Sequence, residues 1–235
     1  MILEALANAF GPSGCEQAVR SLILEQIRGR VDVCRVDHLG NLLAEQRGAA
    51  ACPRVMVAAH MDEVGLMITG ADDAGMLRFV VVGSIDPRVL PAKRLVVGRE
   101  RCPGVVAVKP VHKTTAEERA RVLSVDQLVI DVGASSRAEA EKVAGKGDYA
   151  VFATRFQDLG STVIGKAFDD RVGCAVLIEL IQRGPYPFTL CPVFTTMEEI
   201  GMRGARVAAY GMAPDAAFVL EGTICDDSPK TRDES

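Results

Sequence analysis

Three short, almost wholly apolar segments of this chain run directly into acidic residues or a histidine. They are Val55–Ala59 before His60, Thr189–Thr195 before Met197-Glu198-Glu199, and Ala216–Leu220 before Glu221. Apolar runs without polar alternation are typical of strands that are buried on both faces, as in the sheet of an α/β fold. We therefore predict an α/β fold in which these three segments are buried strands.

Helical patterns flank the predicted strands. Near the N-terminus, Ser13 and Glu16 have the spacing of a capping box, and an apolar face follows at helical spacing: Val19, Leu22, Ile23 and Ile27. A second helix with an almost wholly apolar body is predicted from Val172 to Ile181. Helices of this kind are expected to cover the predicted sheet.

The pattern changes between about Leu66 and Val163. Short β-rich pieces are separated there by Gly, Pro and Asp: Leu77–Val82, Arg94–Val97, Gly104–Val108 and Gln127–Val132. Such spacing favours a small β-barrel. We predict an α/β catalytic domain made of residues 1–65 and 163–235, interrupted by a β-rich domain inserted at residues 66–162.

Composition excludes several classes of function. The 235 residues carry a net charge of −4, which gives no basic footprint for nucleic acid or an anionic membrane. No apolar run approaches the ~20 residues that cross a bilayer, and the N-terminus lacks the features of a secretory signal. The seven cysteines are odd in number and form no C-x-x-C pair, which predicts a reduced, cytoplasmic protein.

The predicted strand ends bring metal-binding side chains together. Sites of open α/β sheets form at the carboxyl ends of strands, and a fourth element, Lys166–Arg171, adds Asp169 and Asp170 before a helix. Clustered carboxylates repel one another in a cleft unless a cation neutralises them. Histidine and carboxylate ligands suit Zn²⁺, Co²⁺ or Mn²⁺, and Asp62 is placed to orient the second ring nitrogen of His60.

Each element alone has an ordinary structural explanation. A histidine at a strand end is commonly a hydrogen-bonded core residue, and Asp169-Asp170 has the pattern of a helix N-cap with a first-turn acid. Glu198-Glu199 and Glu221 are equally compatible with solvated surface acids. The conjunction of all of them after predicted strands, or before an apolar helix, favours a metal site.

Longer motifs resemble the tetrahedral or glutamyl aminopeptidase family of dinuclear metallopeptidases, some of whose members are labelled endoglucanase or deblocking aminopeptidase. The resemblance runs along the whole chain through residues 10–16, 36–42, 59–65, 82–87, 109–112, 165–171 and 196–201. It implies a metallo-aminopeptidase-like α/β/α sandwich with an inserted β-barrel, which removes N-terminal residues from peptides. It also implies a homo-oligomer, often of twelve subunits, with no nucleic-acid or membrane partner.

The resemblance assigns a role to each candidate residue. Two divalent metal ions are implied, with His60 and Glu221 on one, Glu199 on the other and Asp169 bridging both. Glu198 is then the general base and acid, and Asp62 supports His60. Asp170 is implied to sit beside the bridge, across an unusual peptide bond.

One departure from the family pattern bears on activity. The family carries a last metal-binding histidine roughly a hundred residues beyond the Glu221 position, whereas the histidines of this chain are His38, His60 and His112. We therefore expect a truncated family member that lacks the C-terminal part of the α/β domain. The alternative function is that of an inactive scaffold or a non-functional gene product. A glycosidase would need two carboxylates but no histidine, so His60 argues against it.

Overall fold

The structure, a computed structural model, describes residues 1–49, 53–223 and 225. The helices are α1 (Ile2–Asn8), α2 (Gln17–Ile27), α3 (Ala116–Arg119), α4 (Arg137–Val143), α5 (Phe168–Arg183) and α6 (Arg203–Met212). The strands are β1 (Val33–Val36), β2 (Leu42–Glu45), β3 (Arg54–His60), β4 (Gly65–Ala71), β5 (Leu77–Val82), β6 (Arg94–Val97), β7 (Cys102–Ala107), β8 (Val129–Asp131), β9 (Tyr149–Phe152), β10 (Gln157–Asp158), β11 (Val163–Ile164), β12 (Thr189–Thr195) and β13 (Ala216–Val219).

Five strands form the central sheet in the order β1-β2-β12-β3-β13. Strands β12 and β13 both run parallel to β3, and Thr195 pairs with His60 at the end of the ladder. Parallel strands present their carboxyl ends at one edge, so the segments after β3, β12 and β13 meet there. The α/β fold predicted from the apolar segments is confirmed.

Helices cover both faces of this sheet. On one face, α1, α2 and α5 pack on β3 and β12 around fully buried residues such as Ile23, Leu177 and Phe194. On the other face, α6 packs through Ala208 and Met212. Each large aliphatic or aromatic side chain buried in this way contributes roughly 1.5–3 kcal/mol, which holds the strand ends in a fixed arrangement.

The strands between Gly65 and Phe152 close into a separate barrel, in the order β4-β5-β8-β7-β6-β9. Its own core contains Leu66, Ile68, Leu95 and Ile130. Within the described part of the chain, no barrel strand pairs with the central sheet. The β-barrel expected from the short β-rich pieces is confirmed, while the division into domains at residues 65 and 163 stays a prediction.

Two local predictions were wrong. Ala216–Leu220 was expected to be a strand buried on both faces, but β13 is exposed along its length, because it forms an edge and pairs with β3 alone. The Ser13 and Glu16 pair does not cap α2, whose start has no side-chain cap. Both side chains are instead buried and point to distant residues, as described below.

Across the residues that the structure describes, no helix is long and apolar enough to span a membrane.

Candidate metal centre

His60 ends β3 and is almost completely buried. Its ring nitrogen Nδ1 lies 3.1 Å from the carbonyl oxygen of Asp62 and 3.4 Å from Asp62 Oδ1. The other ring nitrogen, Nε2, faces the carboxylates at the sheet edge, with Asp169 Oδ1 at 2.9 Å. An imidazole oriented through Nδ1 in this way presents Nε2 as a ligand.

Asp62 is fully buried and organises the loop after β12. Its Oδ1 accepts a hydrogen bond from the amide of Glu198 at 3.0 Å, and its Oδ2 accepts one from the amide of Glu199 at 3.1 Å. The Ser13 hydroxyl donates to the same Oδ2 at 2.6 Å. Burial raises the pKa of Asp62, but the hydrogen bonds from His60, Ser13 and the Glu198 amide together hold it below its usual value.

Asp169 and Asp170 follow a left-handed residue, Ala167 (φ 56°), and are joined by a cis peptide bond. Neither has helical backbone angles, so the regular part of α5 begins after them. The two side chains consequently diverge. Asp170 turns inward and accepts hydrogen bonds from the amides of His60 and Gly173, while Asp169 projects to the sheet edge with 59% of its side chain exposed.

Three potential ligands form the tightest group. One ligand atom from each of His60, Asp169 and Glu221 lies within 4.8 Å of the other two. His60 Nε2 is 3.6 Å from Glu221 Oε1 and 3.9 Å from Glu198 Oε2. Glu199 is outside this group and lines a neighbouring cavity of about 270 Å³ together with Asp169.

The charges at this edge are poorly balanced without a cation. Burial lowers the pKa of His60, but the hydrogen bond and charge of Asp62, the charge of Asp170 and the hydrogen bond with Asp169 raise it to about 10. Burial raises the pKa of Asp170 to about 7, and burial with neighbouring carboxylates raises that of Glu199 to about 7. A divalent cation would relieve this repulsion, so the donor set fits a metal.

Sequence reasoning missed a buried ion cluster behind the site. The Lys166 ammonium donates to both Glu63 oxygens, at 2.7 and 2.8 Å, and Arg171 Nη2 lies 3.5 Å from Glu63 Oε1. Arg171 is fully buried. The sequence did contain a signal for this cluster. Residues 60–63 and 166–171 carry opposite charges next to segments that were predicted to be buried.

A second, larger cavity borders the group on the other side. It has a volume of about 540 Å³ and is lined by the exposed side of α5, including Val172 and Val176, and by Leu220–Thr223. Asp169 borders both this cavity and the smaller one that contains Glu199. The group is therefore open to solvent on two sides.

Comparison with known proteins places these features in context. Residues 40–235 match the sequence model of the M42 glutamyl aminopeptidase family. A putative aminopeptidase of Acetivibrio thermocellus is 38% identical over 231 residues, which cover 98% of this chain and 68% of that protein.

Two solved structures are also similar. An aminopeptidase from the archaeon Desulfurococcus kamchatkensis has a TM-score of 0.92 at 36% identity, over 99% of this chain and 65% of that one. The TET1 peptidase of Pyrococcus horikoshii, which can assemble into a tetrahedron or a large octahedral shell, has a TM-score of 0.86 at 35% identity, over 96% and 70%. The chain thus spans about two thirds of the length of these relatives.

Proposed function

Because the chain belongs to the M42 glutamyl aminopeptidase family, we propose that its sheet edge is the metal centre of a metal-dependent aminopeptidase, which removes N-terminal residues from peptides. The observation that carries this proposal is the meeting of His60, Asp169 and Glu221 within 4.8 Å, with Glu198 beside them. These residues come from four separate parts of the chain and meet at the carboxyl edge of the sheet.

The ligand assignment comes from the family resemblance and is supported by these positions. His60, Glu221 and Asp169 would hold the first ion. Asp169 and Glu199 would hold the second, because both side chains line the same cavity. Zn²⁺ or Co²⁺, and also Mn²⁺, suit this donor set.

Bound ions would supply Lewis-acid chemistry, acidifying a water molecule and polarising the scissile carbonyl. Glu198 would take the proton from the attacking water and deliver it to the leaving amine. Its amide is anchored on Asp62, while 30% of its side chain stays exposed, so the carboxylate can reach a substrate. The peptide's free amine would bind to the carboxylates around the group.

One observation favours a second candidate, an inactive scaffold. Among the described residues, Asp169 and Glu199 are the two ligands assigned to the second ion, and catalytic zinc usually has three protein ligands. His38 and His112 are exposed and lie outside the group. We therefore expect this chain to bind one ion tightly and the other weakly, with little hydrolytic activity.

The experiment that separates the two candidates combines metal binding with hydrolysis. Chelator-treated protein is titrated with Co²⁺ or Zn²⁺ and assayed on a panel of aminoacyl-4-nitroanilides. The variants are Glu198→Gln and, as a matched control, Glu141→Gln on the exposed side of α4. Turnover that requires metal and is lost only in Glu198→Gln supports the enzyme. Tight binding of one ion without turnover supports the scaffold, and no metal binding refutes the metal-dependent enzyme.

Assembly and location belong to the same proposal. The relative from Pyrococcus horikoshii can form large shells, and we propose a homo-oligomer for this chain as well, often dodecameric in the family. A cytoplasmic location is supported by the free state of the six cysteines that the structure describes. Sedimentation of the purified protein tests the assembly, and a stable monomer would contradict it.

A further inference from the structure

The N-terminal segment Ala9–Glu16 contacts both loops of the metal centre. We propose that this segment is a positioning element, which sets the Glu198–Glu199 loop through the side chains of Ser13 and Glu16. The proposal rests on the proposed function, because it concerns the placement of the general base and of a ligand to the second ion.

The first contact runs through Ser13. Its side chain is buried, and its hydroxyl donates to Asp62 Oδ2 at 2.6 Å. The same oxygen accepts the Glu199 amide, while the other oxygen accepts the Glu198 amide. A carboxylate rotates freely unless its oxygens are fixed by donors. Ser13 therefore shares in fixing the plane of Asp62, and with it the direction of the two amides that follow β12.

The second contact runs through Glu16, which is buried without an ion-pair partner in the described ranges. Its Oε1 accepts the amide of Met197 at 3.2 Å and that of Gly14 at 2.7 Å. Met197 adopts a left-handed conformation (φ 54°), which a residue with a side chain adopts only when its surroundings hold it there. The hydrogen bond to Glu16 fixes the amide of this residue, directly before the general base.

The same segment also holds the opposite loop. The Ala9 carbonyl accepts from Lys166 Nζ at 2.6 Å, and the Gly11 amide donates to Glu63 Oε1 at 3.1 Å. The Gly11 carbonyl faces Arg171 Nη2 at 3.4 Å. This approach needs glycine, since a Cβ on Gly11 would lie 2.8 Å from Arg171 Nη2.

Lys166 and Arg171 flank the bridging carboxylate. The segment Ala9–Glu16 thus contacts both the loop that carries Glu198 and the loop that carries Asp169, although these loops follow different strands. A segment that served packing alone would not need two buried polar side chains, one bonded to the Met197 amide and the other to the carboxylate that accepts the amides of residues 198 and 199.

The test uses hydrogen exchange of the metal-free protein, so it does not depend on activity. The variants are Ser13→Ala and Glu16→Ala, each of which removes the polar atom that makes the contact. The matched controls are Ser135→Ala and Glu139→Ala, because the Ser135 hydroxyl donates to Glu139 at 2.8 Å on the exposed barrel surface. We expect exchange of the amides of residues 197–199 to accelerate at least tenfold in the first pair only, with the amides of β3 and β12 unchanged.

A second measurement separates positioning from packing. Bound Co²⁺ reports its ligand geometry by its absorption spectrum, which we expect to change in Ser13→Ala and to return in Ser13→Thr, since threonine restores the hydroxyl. Unchanged exchange at residues 197–199, or a uniform increase throughout the α/β part, would overturn the proposal. A wild-type protein that binds no cobalt would refute the proposed function alone, because the exchange measurement still decides the role of the segment.

Discussion

Replacing Glu63 by glutamine removes the negative charge from the buried ion cluster behind the metal centre. The Glu63 side chain is 2% exposed, that of Lys166 is 8% exposed and that of Arg171 is fully buried. Glutamine has nearly the same shape, but it presents an NH₂ group where one carboxylate oxygen accepted from Lys166 at 2.8 Å. The variant therefore leaves two buried cations without a counter-charge.

The expected loss of folding stability follows from the burial of these charges. Removing one partner of a buried ion pair costs about 3–5 kcal/mol, because the remaining charge is neither solvated nor paired. Arg171 cannot lose its proton, but Lys166 can, since burial already lowers its pKa. A lysine with a lowered pKa is destabilising while it is protonated, and this cost is relieved as the pH rises above its folded pKa. The loss of stability should therefore be largest at low pH and smaller at high pH.

The assay is urea unfolding followed by circular dichroism at 222 nm, which reports the helices of the α/β part. The matched control is Asp73→Asn, which breaks an exposed pair with Arg137 whose side chains are 95% and 54% exposed. Pairs of that kind contribute about 0–1 kcal/mol. A loss below about 1 kcal/mol for Glu63→Gln, or one equal to the control, would refute the electrostatic argument for this cluster.

Three further outcomes are expected. Gly204→Ala should cost about 1–3 kcal/mol, because its Cβ would meet the Thr196 carbonyl oxygen at 2.3 Å; an unchanged urea midpoint would contradict this contact. The metal-free protein should lose thermal stability as the pH rises between about 5 and 9, because His60, Asp170 and Glu199 have raised pKa values (about 10, 7 and 7). Groups with raised pKa values favour the folded state more when they are protonated than when they are not. An unfolding temperature that rises over this pH range would contradict the prediction. Added Mn²⁺ should raise the unfolding temperature, more so at pH 8 than at pH 6, because protons compete for the same ligands. Calorimetry with and without chelator measures this shift, and an unchanged unfolding temperature at both pH values would argue against metal binding.

Much of the fold could be predicted from the local pattern of the sequence. The apolar segments before His60 and before Glu198 predicted buried strands, and the structure has both inside one sheet. The prediction worked because burial on both faces leaves a strong signal in a few consecutive residues. The change of pattern after Leu66 predicted the barrel for the same reason, since short strands and turn residues are also local features.

Contacts between distant residues were decided only by the tertiary structure. Ser13 and Glu16 have the spacing of a helix cap, but their side chains serve Asp62 and the amide of Met197, which lies 181 residues from Glu16 in sequence. The apolar composition of Ala216–Leu220 predicted burial, whereas its edge position left β13 exposed. The sequence by itself determined which segments are strands and which side chains can bind a cation. The tertiary packing decided which polar side chains bond to each other. Such hydrogen bonds join residues that are distant in sequence, so they produce no periodic pattern along the chain.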